Sequence, residues 1–155
     1  MTPAVKMAKQ AGITYQTHSY QHDPQHDSYG MEAVEKLGLP AERVFKTLVV
    51  SIDGGGLAVG VLPVSAKLDL KALAKVLKVK KLAMAEPRAV ERSSGYVLGG
   101  VSPLGQKRQL PTVIDRSAAQ SATIYVSAGK RGLEIELNPE DLANLLDATM
   151  AAITK

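Results

Sequence analysis

Residues 44–64, VFKTLVVSIDGGGLAVGVLPV, decide the fold class. KTLVVSI at 46–52 is a run rich in β-branched residues, and DGGG at 53–56 supplies turn residues that accept positive φ. The stretch therefore predicts a β-hairpin with its returning arm at 57–64. Toward the N-terminus, Thr2 and Pro3 mark the N-cap and first position of a helix over 3–11, closed by Gly12. Residues 13–19 alternate apolar and polar, as a half-buried strand does. Residues 20–30, YQHDPQHDSYG, form a polar loop expected to lie over a site, and a helix over 31–37 closes at Gly38.

Toward the C-terminus, Asp69 caps a helix that buries Leu70, Leu73, Ala74 and Leu77 and turns Lys71, Lys75 and Lys78 to the other side. Short strands are expected over 81–85, 112–114, 123–126 and 133–137, and a short helix over 87–93. A last helix starts at Asn138 with Pro139 behind it. This order is not a strict βαβ alternation. It implies an α+β protein, one domain over 1–155, with a mixed, mainly antiparallel sheet curved toward a barrel and packed with helices.

At 155 residues the chain can hide roughly 70% of its unfolded surface, enough for a core without covalent staples. It contains no cysteine, which removes disulfides, thiolate metal ligands and a cysteine nucleophile together. The first ten residues hold no apolar signal core, and no segment approaches the roughly 20 apolar residues that span a bilayer. No membrane association is expected, and the cytoplasm is the default location. The net charge of +4 is concentrated at Lys71, Lys75, Lys78, Lys80 and Lys81, with Lys107, Arg108, Lys130 and Arg131 in loops. Such a surface attracts polyanions. With 4% aromatic residues and no tryptophan, a base-stacking platform is not expected.

Three constellations carry chemical interest. Strand alternation places Lys46 beside Leu48 and Val50, where an ammonium needs a partner; it either grips an oxyanion or phosphate, or snorkels to water from the strand entrance. GGVSPLGQKR, from Gly99 to Arg108, offers glycine-bent backbone N–H groups or a plain surface turn, and its GxSxxG spacing does not make Ser102 a nucleophile elbow. SAGKRG, from Ser127 to Gly132, joins two predicted strands as a phosphate cradle or a solvated hairpin loop, and Glu134 follows on the next strand. His18, His22 and His26 recur every four residues, but Pro24 interrupts the helix that would align them, so no metal site is expected. No spacing joins serine, histidine and aspartate into a triad.

MTPAVK at the start, HSYQHDP around Tyr20, VFKTLVV around Lys46, SGYVLGGVSPLGQKR from Ser94 and IYVSAGKRGLEIEL from Ile124 together resemble the Cys-tRNA(Pro) deacylases. These are the free-standing YbaK-type relatives of the editing insertion domain of bacterial prolyl-tRNA synthetases. The resemblance runs from end to end. It implies hydrolysis of cysteinyl-tRNA(Pro) at the 3′ acceptor end, in trans beside prolyl-tRNA synthetase, without a cofactor. By the same resemblance Lys46 matches the essential lysine, and Tyr20, Tyr29, Thr47, Gly99, Gly100, Ser127 and Glu134 fall at substrate-contacting positions. Lys130 and Arg131 are expected to meet tRNA phosphates. Relatives often carry aspartate at the place of Glu134 and phenylalanine at that of Tyr29, departures that bear on pocket depth and amino-acid preference.

The missing triad fits such an activity. An aminoacyl ester is already activated, and a cysteinyl thiol can close onto its own carbonyl when held in place. Two other readings are a deacylase for another small amino acid such as alanine, and a noncatalytic module that binds tRNA or a synthetase.

Overall fold

The computed structural model describes residues 1–26 and 28–155; Asp27, in the predicted 20–30 loop, lies outside the described residues. The predicted hairpin is present as β2 (Phe45–Ile52) and β3 (Leu57–Pro63), paired antiparallel with Lys46 opposite Leu62 and Leu48 opposite Gly60. β4 (Leu82–Met84) adds to β2 only at Val50, Ser51 and Ile52. On the other flank β5 (Thr112–Asp115) and β8 (Thr149–Ala151) join in parallel, giving the order β4-β2-β3-β5-β8. A second, antiparallel sheet has the order β1-β7-β6, from β1 (Tyr15–Ser19), β6 (Ile124–Lys130) and β7 (Leu133–Leu137).

The α+β class and the mainly antiparallel pairing agree with the sequence, but the single sheet curving toward a barrel does not. Among the described residues there are two sheets, of three and five strands, and no closed barrel. Among the described residues they touch in ladder fashion only at an isolated bridge, Val44 with Tyr125.

The local rules hold where side chains cap helices. In α1 (Pro3–Ala11) the Thr2 hydroxyl accepts the Val5 N–H, and Gly12 closes the helix in the left-handed region. Helix α2 (Tyr29–Leu37) starts two residues earlier than expected, because the Ser28 hydroxyl accepts the Met31 N–H and draws Tyr29 and Gly30 into the first turn. Helices α3 (Leu70–Leu77) and α5 (Pro139–Leu146) are capped by Asp69 and Asn138; α4 (Pro87–Ser94) begins with proline.

The two faces of each sheet are covered differently. Between the sheets lies the main core, with Phe45, Val49, Val61, Ile114, Val126 and Ile135 closed in by α1 and α5. The outer face of the larger sheet packs Val50, Ala58 and Val113 against Leu73 and Ala74 of α3. The outer face of the smaller sheet puts Tyr125 and Val44 against Ala33 of α2. Strand β7 shows the period of two: Leu133, Ile135 and Leu137 enter or flank the main core, while Glu134 and Glu136 face the other way.

Residues 127–132 were expected as a loop between strands. Instead β6 continues to Lys130 through a bulge between Ser127 and Lys130, where Gly129 takes φ +109°, and only Arg131 and Gly132 connect to β7. Loop 95–111 returns across that turn so closely that a Cβ at Gly100 would sit 2.8 Å from the Lys130 Cα. Gly100 has an ordinary φ, so the constraint there is steric. Replacing it with alanine is expected to lower stability by ~1–3 kcal/mol in a urea melt, as overpacking does; an unchanged midpoint would show that the two segments part freely.

Candidate active site

Because β4 pairs only with the far end of β2, the near end of β2 has an open edge. A cleft of about 400 Å³ lies along that edge and is lined by Phe45, Lys46, Thr47 and Leu48. The opposite walls come from the 20–30 segment and the start of α2 (Tyr20, Ser28, Tyr29, Gly30), from Leu98, Gly99 and Val101, and from Ser127, Arg131 and Glu134 at the β6–β7 end. Both faces of β2 reach the cleft because it sits at an edge. The Val64 N–H donates to Val44 O and the Ala85 N–H to Val49 O. Ladder alternation between those points turns the Thr47 backbone groups toward the open side. The Thr47 hydroxyl is buried without a hydrogen-bond partner among the described residues.

Lys46 is partly buried at the cleft, and desolvation lowers its ammonium below the ordinary lysine pKa. Among the described residues no carboxylate lies within ion-pairing distance of it. Glu134 is 6% exposed on the opposite wall, and burial pushes its carboxyl up to about 8. At neutral pH it is mostly an uncharged acid, able to donate as well as accept. Burial first, and the Glu134 carboxylate second, raise the Tyr20 phenol above its ordinary value.

A second carboxylate holds the walls. Glu32 of α2 is fully buried, and it accepts from the Asp23 N–H at 2.7 Å and from the Arg131 Nε at 3.2 Å, with the His22 Nδ1 at 2.8 Å. Burial alone would raise its pKa, but these partners outweigh that and hold it at about 2. Arg131 also donates to His26 O at 2.8 Å and lies 4.2 Å over the Tyr29 ring. Tyr29 in turn abuts Gly99, where φ is +91° and a Cβ would stand 3.1 Å from the ring.

The structure thus brings together Tyr20, Tyr29, Lys46, Thr47, Gly99, Ser127, Arg131 and Glu134 around one cleft. It does not bring Gly100 or Lys130 to that wall. Gly100 is buried and its N–H donates to Val97 O, while Lys130 is exposed at the end of β6. The Arg131 guanidinium, expected on phosphate, is committed to Glu32, His26 O and Tyr29. Sequence reasoning missed Glu32, since no local pattern announces a carboxylate whose partners stand at 22–23 and 131. The Ser28 cap, a visible signal, would have brought Tyr29 and Gly30 to the helix start.

Among the described residues no histidine lines the cleft; His18, His22 and His26 are bound to Glu136, Glu32 and Glu35. Ser127 therefore has no imidazole base, and Ser102 is fully buried with its hydroxyl accepting the Leu104 N–H. What the cleft offers is the Lys46 ammonium, the Glu134 acid, the Tyr20, Thr47 and Ser127 hydroxyls and the Thr47 backbone groups at the open edge of β2, set among apolar side chains.

The family model for the aminoacyl-tRNA editing domain matches residues 23–145. The chain belongs to the aminoacyl-tRNA editing family. It is an aminoacyl-tRNA deacylase of that family. It is 40% identical over 153 residues, 99% of this chain and 93% of the other, to EbsC of Enterococcus faecalis (strain ATCC 700802 / V583), described as a candidate Cys-tRNA(Pro)/Cys-tRNA(Cys) deacylase. YwhH of Bacillus subtilis (strain 168) is 29% identical over 112 residues, 72% of this chain and 71% of the other. Two solved structures share the fold. One is the protein APE2540, with a TM-score of 0.86, 23% identity and 99% of each chain covered. The other is a candidate trans-editing enzyme for prolyl-tRNA synthetase, with a TM-score of 0.80, 19% identity, and 100% of this chain and 99% of that one covered. No helix of the described residues is long and apolar enough to cross a membrane.

In this editing enzyme the buried acid has a measurable consequence. Between pH 4.5 and about 8 the unfolded chain has released the Glu134 proton and the folded protein has kept it, so stability falls as pH rises. Glu134→Gln is expected to remove that slope, at most ~1.4 kcal/mol per pH unit, matching the parent below pH 4.5 and exceeding it above pH 8. Parallel melting profiles across this range would show an ordinary carboxyl.

Proposed function

We propose that the cleft deacylates mischarged cysteinyl-tRNA(Pro), in trans beside prolyl-tRNA synthetase, by orienting the substrate's own thiol. The observation that carries this reading is a partly buried, unpaired ammonium facing a cleft that contains no histidine base among the described residues. The relative described as a candidate Cys-tRNA deacylase supports the amino acid, and the likeness to a candidate trans-editing enzyme agrees in fold.

In the proposed reaction the cysteinyl sulfur attacks the carbonyl carbon of its own ester, and the bond from that carbon to the ribose oxygen breaks. The thiol proton ends on the ribose hydroxyl, and a four-membered thiolactone leaves, later opened by water to cysteine. Negative charge develops first on the carbonyl oxygen and then on the ribose oxygen. Lys46 and the Gly99 N–H, which has no intramolecular acceptor among the described residues, stabilise that charge. Thr47 and Glu134 hold the polar groups of the aminoacyl moiety, and Tyr20 and Tyr29 close its sides.

Lys46→Ala is expected to lower kcat/KM for cysteinyl-tRNA(Pro) by ~10²–10³-fold with the fold intact by circular dichroism, the loss typical of one oxyanion donor. Turnover equal to the parent would refute a catalytic lysine, and turnover at background in both proteins would favour a binding module. Serine in place of cysteine on the same tRNA removes the thiol and should reduce turnover to near background. Undiminished turnover would exclude ring closure and favour attack by water on small aminoacyl groups.

A further inference from the structure

Helix α3 carries Lys71, Lys75 and Lys78 on its solvent side, all exposed. Lys67, Lys80 and Lys81 flank the helix and are exposed too. The Lys155 N–H donates to Lys67 O at 2.9 Å, which adds one more exposed lysine to the same surface. Residues 64–81 hold six lysines and one aspartate, an excess of five against four for the whole chain, so the rest of the molecule is slightly acidic. That single aspartate, Asp69, is occupied as the cap of the helix. Among the described residues none of these lysines forms an ion pair.

Helix stability does not account for the pattern. Lysines near a helix C-terminus complement its dipole, which suits Lys75 and Lys78. Lys71 stands in the first turn, where a cation is unfavourable, and like charges four apart repel. An ordinary solvated face would alternate its signs.

The surface adjoins the cleft. Leu48 lines the cleft and pairs with Gly60, and a Cβ at Gly60 would lie 3.5–3.6 Å from Leu68, Leu73 and Ile153. α3 therefore packs one strand away from the cleft wall, and its lysines stand on the order of 15–20 Å from the ester site by strand and helix spacings. The single-stranded 3′ end of a tRNA can bridge that distance to its first base pairs.

We infer that the lysine face of α3, with Lys67, Lys80, Lys81 and Lys155, docks the double-stranded stem of an RNA whose 3′ end enters the cleft, by phosphate contacts that read no sequence. The inference rests on the proposed function for the identity of the 3′ end. Residues 64–81 contain no aromatic side chain, which disfavours single-strand stacking. None of the exposed large hydrophobic residues (Met1, Tyr29, Met84, Val97, Leu98) belongs to α3, which disfavours membrane insertion. Phosphate contacts supply affinity and register without sequence information, so tRNA choice must come from elsewhere.

The test compares the parent with a triple variant, Lys71→Gln, Lys75→Gln and Lys78→Gln. Binding is read by fluorescence anisotropy with uncharged RNA stem-loops of two different stem sequences, each with a single-stranded 3′ tail, across a salt series. Deacylation is read on a cysteinyl stem-loop and on a cysteinyl tetranucleotide without a stem. The variant should bind both stem-loops ~10-fold or more weakly, and its log K against log salt slope should be shallower by ~2–3. Its kcat should be unchanged, with KM raised on the stem-loop alone. Unaltered affinity and slope, a loss confined to one stem sequence, or an equal loss on the tetranucleotide would overturn the inference. So would intact RNA binding with lost binding to phosphatidylserine vesicles, which would assign the face to a membrane. RNA binding is measured without any ester, so failure of the proposed reaction would show as absent turnover in both proteins and leave this result readable.

Discussion

Burying a charge is unfavourable unless a partner or a ligand compensates it, and this fold places in one cleft a lysine ammonium and a carboxyl that have no ion-pair partner among the described residues. Lys46 stays within reach of water because β4 stops short and leaves the start of β2 at an edge. Glu134 meets the same condition by keeping its proton. Neither group depresses the other's cost through an ion pair, so both remain available to a substrate that brings its own dipoles and charge. A site built this way stabilises what enters it more than it stabilises itself.

The walls around those two groups depend on contacts made far along the chain. Glu32, held ionised by His22, Asp23 and Arg131, ties the 20–26 segment and α2 to the β6–β7 turn. Arg131 then supports Tyr29, and Tyr29 rests on Gly99, so one buried carboxylate sets the spacing of three walls. Gly100 fastens the fourth segment by lying against the Lys130 backbone. Rigid positioning of this kind is what an intramolecular reaction requires, since its rate rests on the geometry of atoms already present.

How much of this was legible in the sequence follows from which interactions are local. The hairpin, the capped helices and the strand at 133–137 were visible because each is written within a few residues. So was the departure of Lys46 from its apolar neighbours. The short strand β8 was not visible: three residues joining in parallel to β5 depend on a partner more than thirty positions away. The expected barrel failed for a related reason, since strand order across two sheets is set by packing on both faces of each. Arg131 and Lys130 read as equivalent cations in SAGKRG. The bulge at Gly129 and the buried Glu32 separate them, sending one into an ion pair and leaving the other in solvent. Of the positions the family resemblance indicated for substrate, Gly100 alone lies off the cleft wall, and Glu32 and Arg131 act as supports of the walls.

The proposed reaction needs a substrate held between Lys46 and the Gly99 backbone. The most direct measurement is a crystal structure with a non-hydrolysable 3′-cysteinylamino-adenosine, in which an amide replaces the ester. The Lys46 Nζ and the Gly99 N–H are expected within hydrogen-bond distance of the carbonyl or ribose oxygens, with no protein nucleophile in line with the carbonyl carbon. An analogue bound elsewhere, or bound in the cleft with Lys46 turned to solvent and a side-chain oxygen poised on that carbon, would contradict it.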